Sequence, residues 1–259
     1  MARIALSCST SCVPTSNRSD AMRAIADAGF KYLEAYSHET EARLHPDIVF
    51  ADQVLEDLQK YGLRLSGLNI SDVTVGCSVT AIKMEIQYAA SLGCDNVTIR
   101  GGVFRTERDM NALVNVLRVL APFAQSLGVT INVRNYHNNR IETFDDMQTV
   151  LGRINHPCVG LVLDIGQFYS SRISAWEAID MFMPKTRLIY TRDQIGGRVV
   201  HFGKGEIDNV ALLTKLAAMN YEGFVVVEPE AHARNFLKYI RDARVYLENV
   251  LQQGNIASF

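Results

Sequence analysis

Eight short apolar runs alternate with amphipathic segments from one end of this chain to the other, and that alternation constrains its fold more than any single motif. The runs are Arg3–Ser7, Tyr32–Ala35, Leu63–Asn69, Asn96–Arg100, Val129–Arg134, Val159–Asp164, Arg187–Thr191 and Phe224–Glu228. The segments between and after them, Asp20–Ala28, Ile48–Tyr61, Val79–Leu92, Glu107–Leu127, Thr143–Ile154, Ala175–Met183, Asn209–Met219 and Ala233–Leu251, carry a helical pattern. Glycine follows several of them directly, as Gly29, Gly62, Gly93 and Gly128. The residue beyond a helix end commonly needs a left-handed backbone, which glycine adopts freely. Continuous Val/Ile/Leu runs read as parallel strands buried on both faces. A strand–helix unit repeating every ~30 residues is the size of one βα module. Eight such modules, with no linker or break in composition, predict an α/β fold: a single (β/α)8 barrel spanning residues 1–259 as one domain. The competing doubly wound sheet often carries a Gly-x-Gly-x-x-Gly turn after its first strand. Here the first strand leads into Ser7-Cys8-Ser9-Thr10-Ser11-Cys12 instead.

A barrel of this kind places its chemistry at the carboxyl ends of its strands and in the loops that follow. Those positions hold Glu34 and His38, Asn69 and Asp72, Arg100, Arg134 and His137, Asp164 and Gln167, then Tyr190, Arg192 and Asp193, and finally Glu228. The long loop after the seventh strand adds Arg198, His201 and Lys204. Carboxylates at a rim suit proton transfer. Arginines gathered in a concave site suit an anion, either a phosphate or a sugar acid's carboxylate.

Bulk properties exclude several classes. A net charge of −2 offers no electrostatic footprint for nucleic acid. No run approaches the ~20 apolar residues of a membrane helix, and the N-terminal apolar stretch is too short for a secretory signal. The five cysteines are odd in number and scattered, with no Cys-x-x-Cys pair. A reducing cytoplasm is the location this predicts. Cys94 and Cys158 read as small core residues. Cys8 and Cys12, four apart near the rim, lack an evident activating partner.

Three stretches of the C-terminal half carry a resemblance: Gly160-Leu-Val-Leu-Asp164-Ile-Gly166, Gly203-Lys-Gly-Glu-Ile-Asp208 and Tyr221-Glu-Gly223-Phe-Val-Val-Val-Glu228. They resemble, in order, the Leu-Asp-Thr-Gly-His, Gly-x-Gly-x-(Ile/Val)-Asp and Tyr-x-Gly…Glu motifs of the xylose-isomerase-like TIM barrel superfamily, the sugar phosphate isomerases and epimerases. The resemblance implies a divalent cation held by Glu, Asp, His and Glu after strands five to eight. This chain has Arg134, Asp164, Tyr190 and Glu228 there, and Gln167 replaces the histidine that follows the strand-six Asp. Guanidinium offers no lone pair to a metal. Arg134 therefore reads as the cation's replacement, set against Asp164 and Glu228, and no metal cofactor is expected.

Two function classes remain. In the first, the chain is a sugar or sugar-acid isomerase or epimerase moving a proton beside a carbonyl without metal. Glu228 or Asp164 is then the base, His201 or Tyr190 the proton partner and Arg134 the stabilising charge. Arg100, Asn69, Glu34, Gln167 and Arg198 bind the small anionic carbohydrate. In the second, it is a non-catalytic carbohydrate-binding or partner subunit that has lost the metal. Neither class requires nucleic acid or a membrane, and both allow a homo-oligomer. Endonuclease-like repair is disfavoured because a multi-histidine zinc cluster is absent.

Overall fold

Hydrogen-bond register carries the first strand round to the last and closes the sheet. The computed structural model describes residues 2–38, 42–229 and 235–254, with the backbone of 257–258. Strands β1 (Arg3–Ser9), β2 (Tyr32–Tyr36), β3 (Arg64–Asn69), β4 (Asn96–Ile99), β5 (Thr130–Arg134), β6 (Val159–Asp164) and β7 (Thr186–Thr191) pair in order, all parallel. A hairpin, β8 (Asp193–Ile195) and β9 (Arg198–Val200), follows, and then β10 (Glu222–Val227) pairs β7 on one side and β1 on the other. Arg3 lies opposite Glu222, and Cys8 opposite Val227. The result is the closed eight-stranded parallel barrel that the alternation predicts.

Helices α1 (Arg18–Asp27), α2 (Ala51–Tyr61), α3 (Val79–Ser91), α4 (Glu107–Ser126), α5 (Phe144–Ile154), α6 (Ile165–Ser170), α7 (Ala175–Phe182), α8 (Asn209–Ala218) and α9 (Phe236–Gln253) surround it. Local chemistry sets their ends. Thr143 and Asp146 form a reciprocal capping box at the start of α5, satisfying two otherwise unpaired backbone donors. Gly29, Gly62, Gly93 and Gly128 all have positive φ, as their place after a helix predicts. Two elements depart from the sequence reading. The long loop after the seventh strand contains the β8–β9 hairpin, and α6 begins directly at the end of β6. His232 and Phe259 lie outside the described residues. Among the described residues, no helix is long and apolar enough to cross a membrane.

Two of the C-terminal motifs have a physical reading as turns. The buried Asp193 carboxylate accepts the backbone N–H groups of Lys204, Gly205 and Ile207 at 2.9–3.3 Å, so the Gly-x-Gly turn is wrapped around one carboxylate. A Cβ on Gly205 would collide with that carboxylate. Asp208 then caps α8 through Ala211 N at 2.8 Å. In Tyr-x-Gly, the Tyr221 hydroxyl donates to the Arg187 carbonyl at 2.8 Å, and its ring passes 2.6 Å from where a Gly223 Cβ would stand.

Side chains alternate across each strand. Leu161, Leu163, Ile189, Val225 and Val227 join the large core between barrel and helices. Val162, Leu188, Tyr190 and Val226 form a separate cluster, with Phe224 packed against it. Counting in twos along each strand, Asp164, Tyr190 and Glu228 fall on the face of this second cluster, at its carboxyl end. That is how the barrel gathers its polar groups.

Candidate active site

Arg134, 2% exposed, sits at the end of β5 between two carboxylates. Its Nε and Nη2 donate to Asp164 Oδ2 at 3.1 and 2.5 Å. Nη2 also pairs with Glu228 Oε2, and Nη1 donates to Glu228 Oε1 at 3.2 Å and to the Tyr36 hydroxyl at 3.1 Å. A second guanidinium joins it: Arg192 Nη2 lies 3.1 Å from Asp164 Oδ2 and 3.4 Å from Glu228 Oε2. Gly166 makes room for this side chain, since a Cβ there would stand 2.7 Å from Arg192 Cδ. The Tyr36 hydroxyl donates to Glu228 Oε1 at 2.5 Å, and the Tyr190 ring lies 4.0 Å from the Arg134 guanidinium carbon. Both carboxylates therefore have their oxygens engaged by protein donors, and two positive charges face two negative ones.

Burial alone would raise Asp164, but the Arg192 and Arg134 guanidiniums hold it below the usual carboxylate range. Burial would likewise lower Arg134, yet Glu228 and Asp164 keep it charged and move it well upward. Burial, followed by nearby carboxylates, pushes Tyr36 and Tyr190 well above the ordinary phenol range, so both remain donors.

Glu34 forms the second half of the site. Fully buried on β2, it accepts through Oε1 from Asn69 Nδ2 and from the Tyr190 hydroxyl, and Asn69 Nδ2 also lies 2.9 Å from that hydroxyl. Gly67 on β3 leaves the space, because a Cβ there would be 3.3 Å from Glu34 Cγ. Glu34 Oε2 is buried with no hydrogen-bond partner. Burial is the main reason its pKa rises from 4.5 to about 8, with the Glu228 charge adding to it against the opposing Tyr190, Arg134 and Asn69 contacts. An unpartnered buried carboxylate oxygen is costly, and a proton on Glu34 relieves that cost across the neutral range.

The remaining sequence candidates are placed differently. Gln167 is buried beside the cluster: its N–H donates to Asp164 Oδ1 at 3.0 Å and its Oε1 accepts the His137 N–H at 3.1 Å. Arg100 is held bidentate by Asp72 at 3.0 and 3.1 Å and lies 5.3 Å over the Tyr136 ring. Arg198 is exposed on β9. His201 is exposed next to that hairpin, its ring 5.1 Å from Tyr239 and its Nδ1 3.7 Å from Asp242 of α9. Neither contacts the carboxylates through any described hydrogen bond. Cys8 and Cys12 are buried, and burial pushes the Cys12 thiol up, as for a core residue. Tyr36 belongs to the cluster although sequence reasoning left it out, and Arg192, read there only as a rim position, belongs to it too. Each lies two residues beyond a chosen candidate on the same strand or its continuation, Glu34 and Tyr190, so the period of two is the signal that finds them.

A divalent cation does not fit this donor set. Two of the positions that would coordinate it are a guanidinium and a phenol that stays protonated. Arg134 lies within hydrogen-bonding distance of both remaining acids, and its charge opposes an incoming cation. Among the described residues, no group of three His, Cys, Asp or Glu side chains could hold a metal.

A family model, the xylose isomerase-like TIM barrel, matches residues 22–250. Among solved structures, the chain is similar to an L-ribulose 3-epimerase, with 18% identity over 98% of this chain and 96% of that one and a TM-score of 0.82. It is also similar to a D-allulose 3-epimerase from Methylomonas sp., with 16% identity over 97% and 100% of the two chains and a TM-score of 0.82. The IolI protein with a bound zinc atom gives 20% identity over 96% and 98%, with a TM-score of 0.79. At these identities the likeness is one of fold. No curated protein matches the chain by sequence.

Proposed function

The chain belongs to the xylose isomerase-like TIM barrel family, and from that premise we propose that it is a sugar or sugar-acid isomerase or epimerase that moves a proton beside a carbonyl without a divalent cation. The observation that carries this reading is Glu34: a buried carboxyl with one unpartnered oxygen and a pKa near 8, next to the Arg134–Arg192 pair. A group that titrates near the working pH both takes and returns a proton. Glu34 suits that role better than Asp164, which is held ionised, or Glu228, whose two oxygens are engaged by Tyr36, Arg134 and Arg192. The two guanidiniums supply the positive charge that an enediolate oxygen requires. Tyr190 and Asn69 position the Glu34 carboxyl through Oε1. This reading gives His201 and Arg198 no part in the proton transfer. Sugar epimerases among the structural neighbours support the substrate class.

The saturation of Asp164 and Glu228 by arginine favours a second reading, a non-catalytic carbohydrate-binding subunit. Incorporation of solvent deuterium into a panel of ketoses and keto sugar acids separates the two. The enzyme reading expects exchange at the carbon beside the carbonyl, abolished in Glu34→Gln. Binding without exchange across the panel would leave the binding subunit as the function.

A further inference from the structure

Arg172 occupies a backbone position that the chain otherwise gives to asparagine or glycine. Among the described residues, four non-glycine residues have positive φ: Asn138, Asn155, Asn220 and Arg172, the last at +55°. Asparagine tolerates the left-handed region through its short polar side chain, whereas other residues with a Cβ are strained there. Arg172 closes α6 in a Schellman turn, with Arg172 N bonded to the Tyr169 carbonyl at 3.1 Å and Ile173 N to the Phe168 carbonyl at 2.9 Å. Glycine is the usual residue at that place. An arginine kept against its backbone preference points to a use for its side chain.

That side chain lines a cavity of about 810 Å³ beyond α6, walled also by His137, Tyr169, Ser174 and the Gly196–Gly197 turn of the hairpin. Among the described residues, no carboxylate lines it. The acids nearby are occupied elsewhere: Glu142 pairs with Arg105 and accepts from Ser171 at 2.7 Å, while Glu206 reaches the Gly196 N–H at 3.4 Å. Arg172 has no ion-pair partner among the described residues, in contrast to Arg100, Arg134 and Arg192, which all face carboxylates. His137 is anchored by Nδ1, 2.8 Å from Glu142 Oε1 and 3.0 Å from the Ser171 hydroxyl, which leaves Nε2 for a ligand. Its backbone N–H meets Gln167, and the Gln167 N–H meets Asp164, so the cavity wall is tied to the barrel-mouth cluster by two hydrogen bonds.

We propose that this cavity is the oxoanion subsite for the substrate, with Arg172 holding the phosphate or carboxylate of a ketose derivative and His137 Nε2 meeting a hydroxyl beside it. The inference rests on the ketose reading of the barrel mouth and adds to it where the anion is held. The arginines at the mouth already face acids, so the charge that recognises an anionic substrate comes from outside the cluster.

Calorimetric titration with D-ribulose, D-ribulose 5-phosphate and a keto sugar acid tests this, with Arg172→Asn as the variant. Asparagine relieves the backbone strain and removes the charge, so a folding defect is not expected and a small rise in Tm is. Wild-type protein is expected to bind the phosphorylated ketose or the keto acid at least about tenfold more tightly than D-ribulose, as loss of one charge-assisted contact implies. Whichever anion is preferred identifies the group recognised. Arg172→Asn should bind all three alike. An unchanged preference in Arg172→Asn, or none in wild type, overturns the subsite. An anion preference that Arg172→Asn removes, with no exchange into any ketose, would uphold the subsite and sink the proposed chemistry instead.

Discussion

Glu34→Gln is expected to make the protein more stable and inactive at once. Glu34 holds its proton to about pH 8 in the folded barrel, against 4.5 for an ordinary glutamate. Between those values the unfolded chain has released a proton that the folded one keeps. Stability from this group is therefore fully present below pH 4.5 and declines as pH rises toward 8. Glutamine imitates the protonated acid and does not titrate. The stability gain of the variant should be absent near pH 4, grow through neutrality and level off above pH 8. A tenfold difference in proton affinity between the folded and unfolded chain is worth about 1.4 kcal/mol. An amide N–H₂ near the unpartnered Oε2 position offsets part of the gain, leaving about 1–3 kcal/mol at pH 8. Urea denaturation at pH 4.5, 6.5 and 8.5 reads this directly. A variant destabilised equally at all three values would mean that Glu34 is ionised in the native barrel.

Arg134→Met should have the largest destabilising effect of any single change at the site. It leaves Asp164 and Glu228 buried with only Arg192 between them, and breaking a buried pair in this way costs about 3–5 kcal/mol. The pH dependence that Asp164 contributes should also weaken. In wild type the Asp164 carboxyl is held below its ordinary value, so its contribution is present above about pH 4 and fades on acidification. In the variant only the Arg192 guanidinium opposes the burial that raises Asp164, so its carboxyl titrates higher than in wild type and this contribution shrinks. Denaturation midpoints for both proteins at pH 3 and pH 6 should therefore diverge as pH increases. Parallel curves would mean that Arg134 does not help to hold Asp164 ionised.

What was legible in the sequence was what depends on near neighbours. Glycine after a helix, threonine with aspartate three residues on, and Val/Ile/Leu runs each encode a local geometry, and the barrel follows from their order. The site was legible as far as a strand could be counted in twos. Glu34, Asn69, Arg134, Asp164, Tyr190 and Glu228 meet because each ends an inward-facing row. Tyr36 lies one step further along the Glu34 row, past the end of the apolar run that marks the strand, and Arg192, one step beyond Tyr190, was legible as a rim position without its partners. Arg198 and His201 show the converse limit. The loop that carries them folds as an antiparallel hairpin with Asp193 opposite Val200, and loop composition does not say which way such a hairpin faces. Arg172 gave no signal at all, because its position matters through a backbone conformation that arginine does not advertise.

Proton transfer by a carboxyl beside an internal pair of guanidiniums, with no divalent cation, is checked by deuterium exchange on protein whose metal content has been measured. Protein stripped with chelator and verified by elemental analysis should exchange the proton beside a ketose carbonyl as fast as untreated protein. The pH profile should bend near 8, and added manganese, cobalt or zinc should not accelerate it. Exchange that disappears on stripping and returns with one equivalent of a divalent metal would mean that a metal ion, not the guanidinium pair, supports the proton transfer.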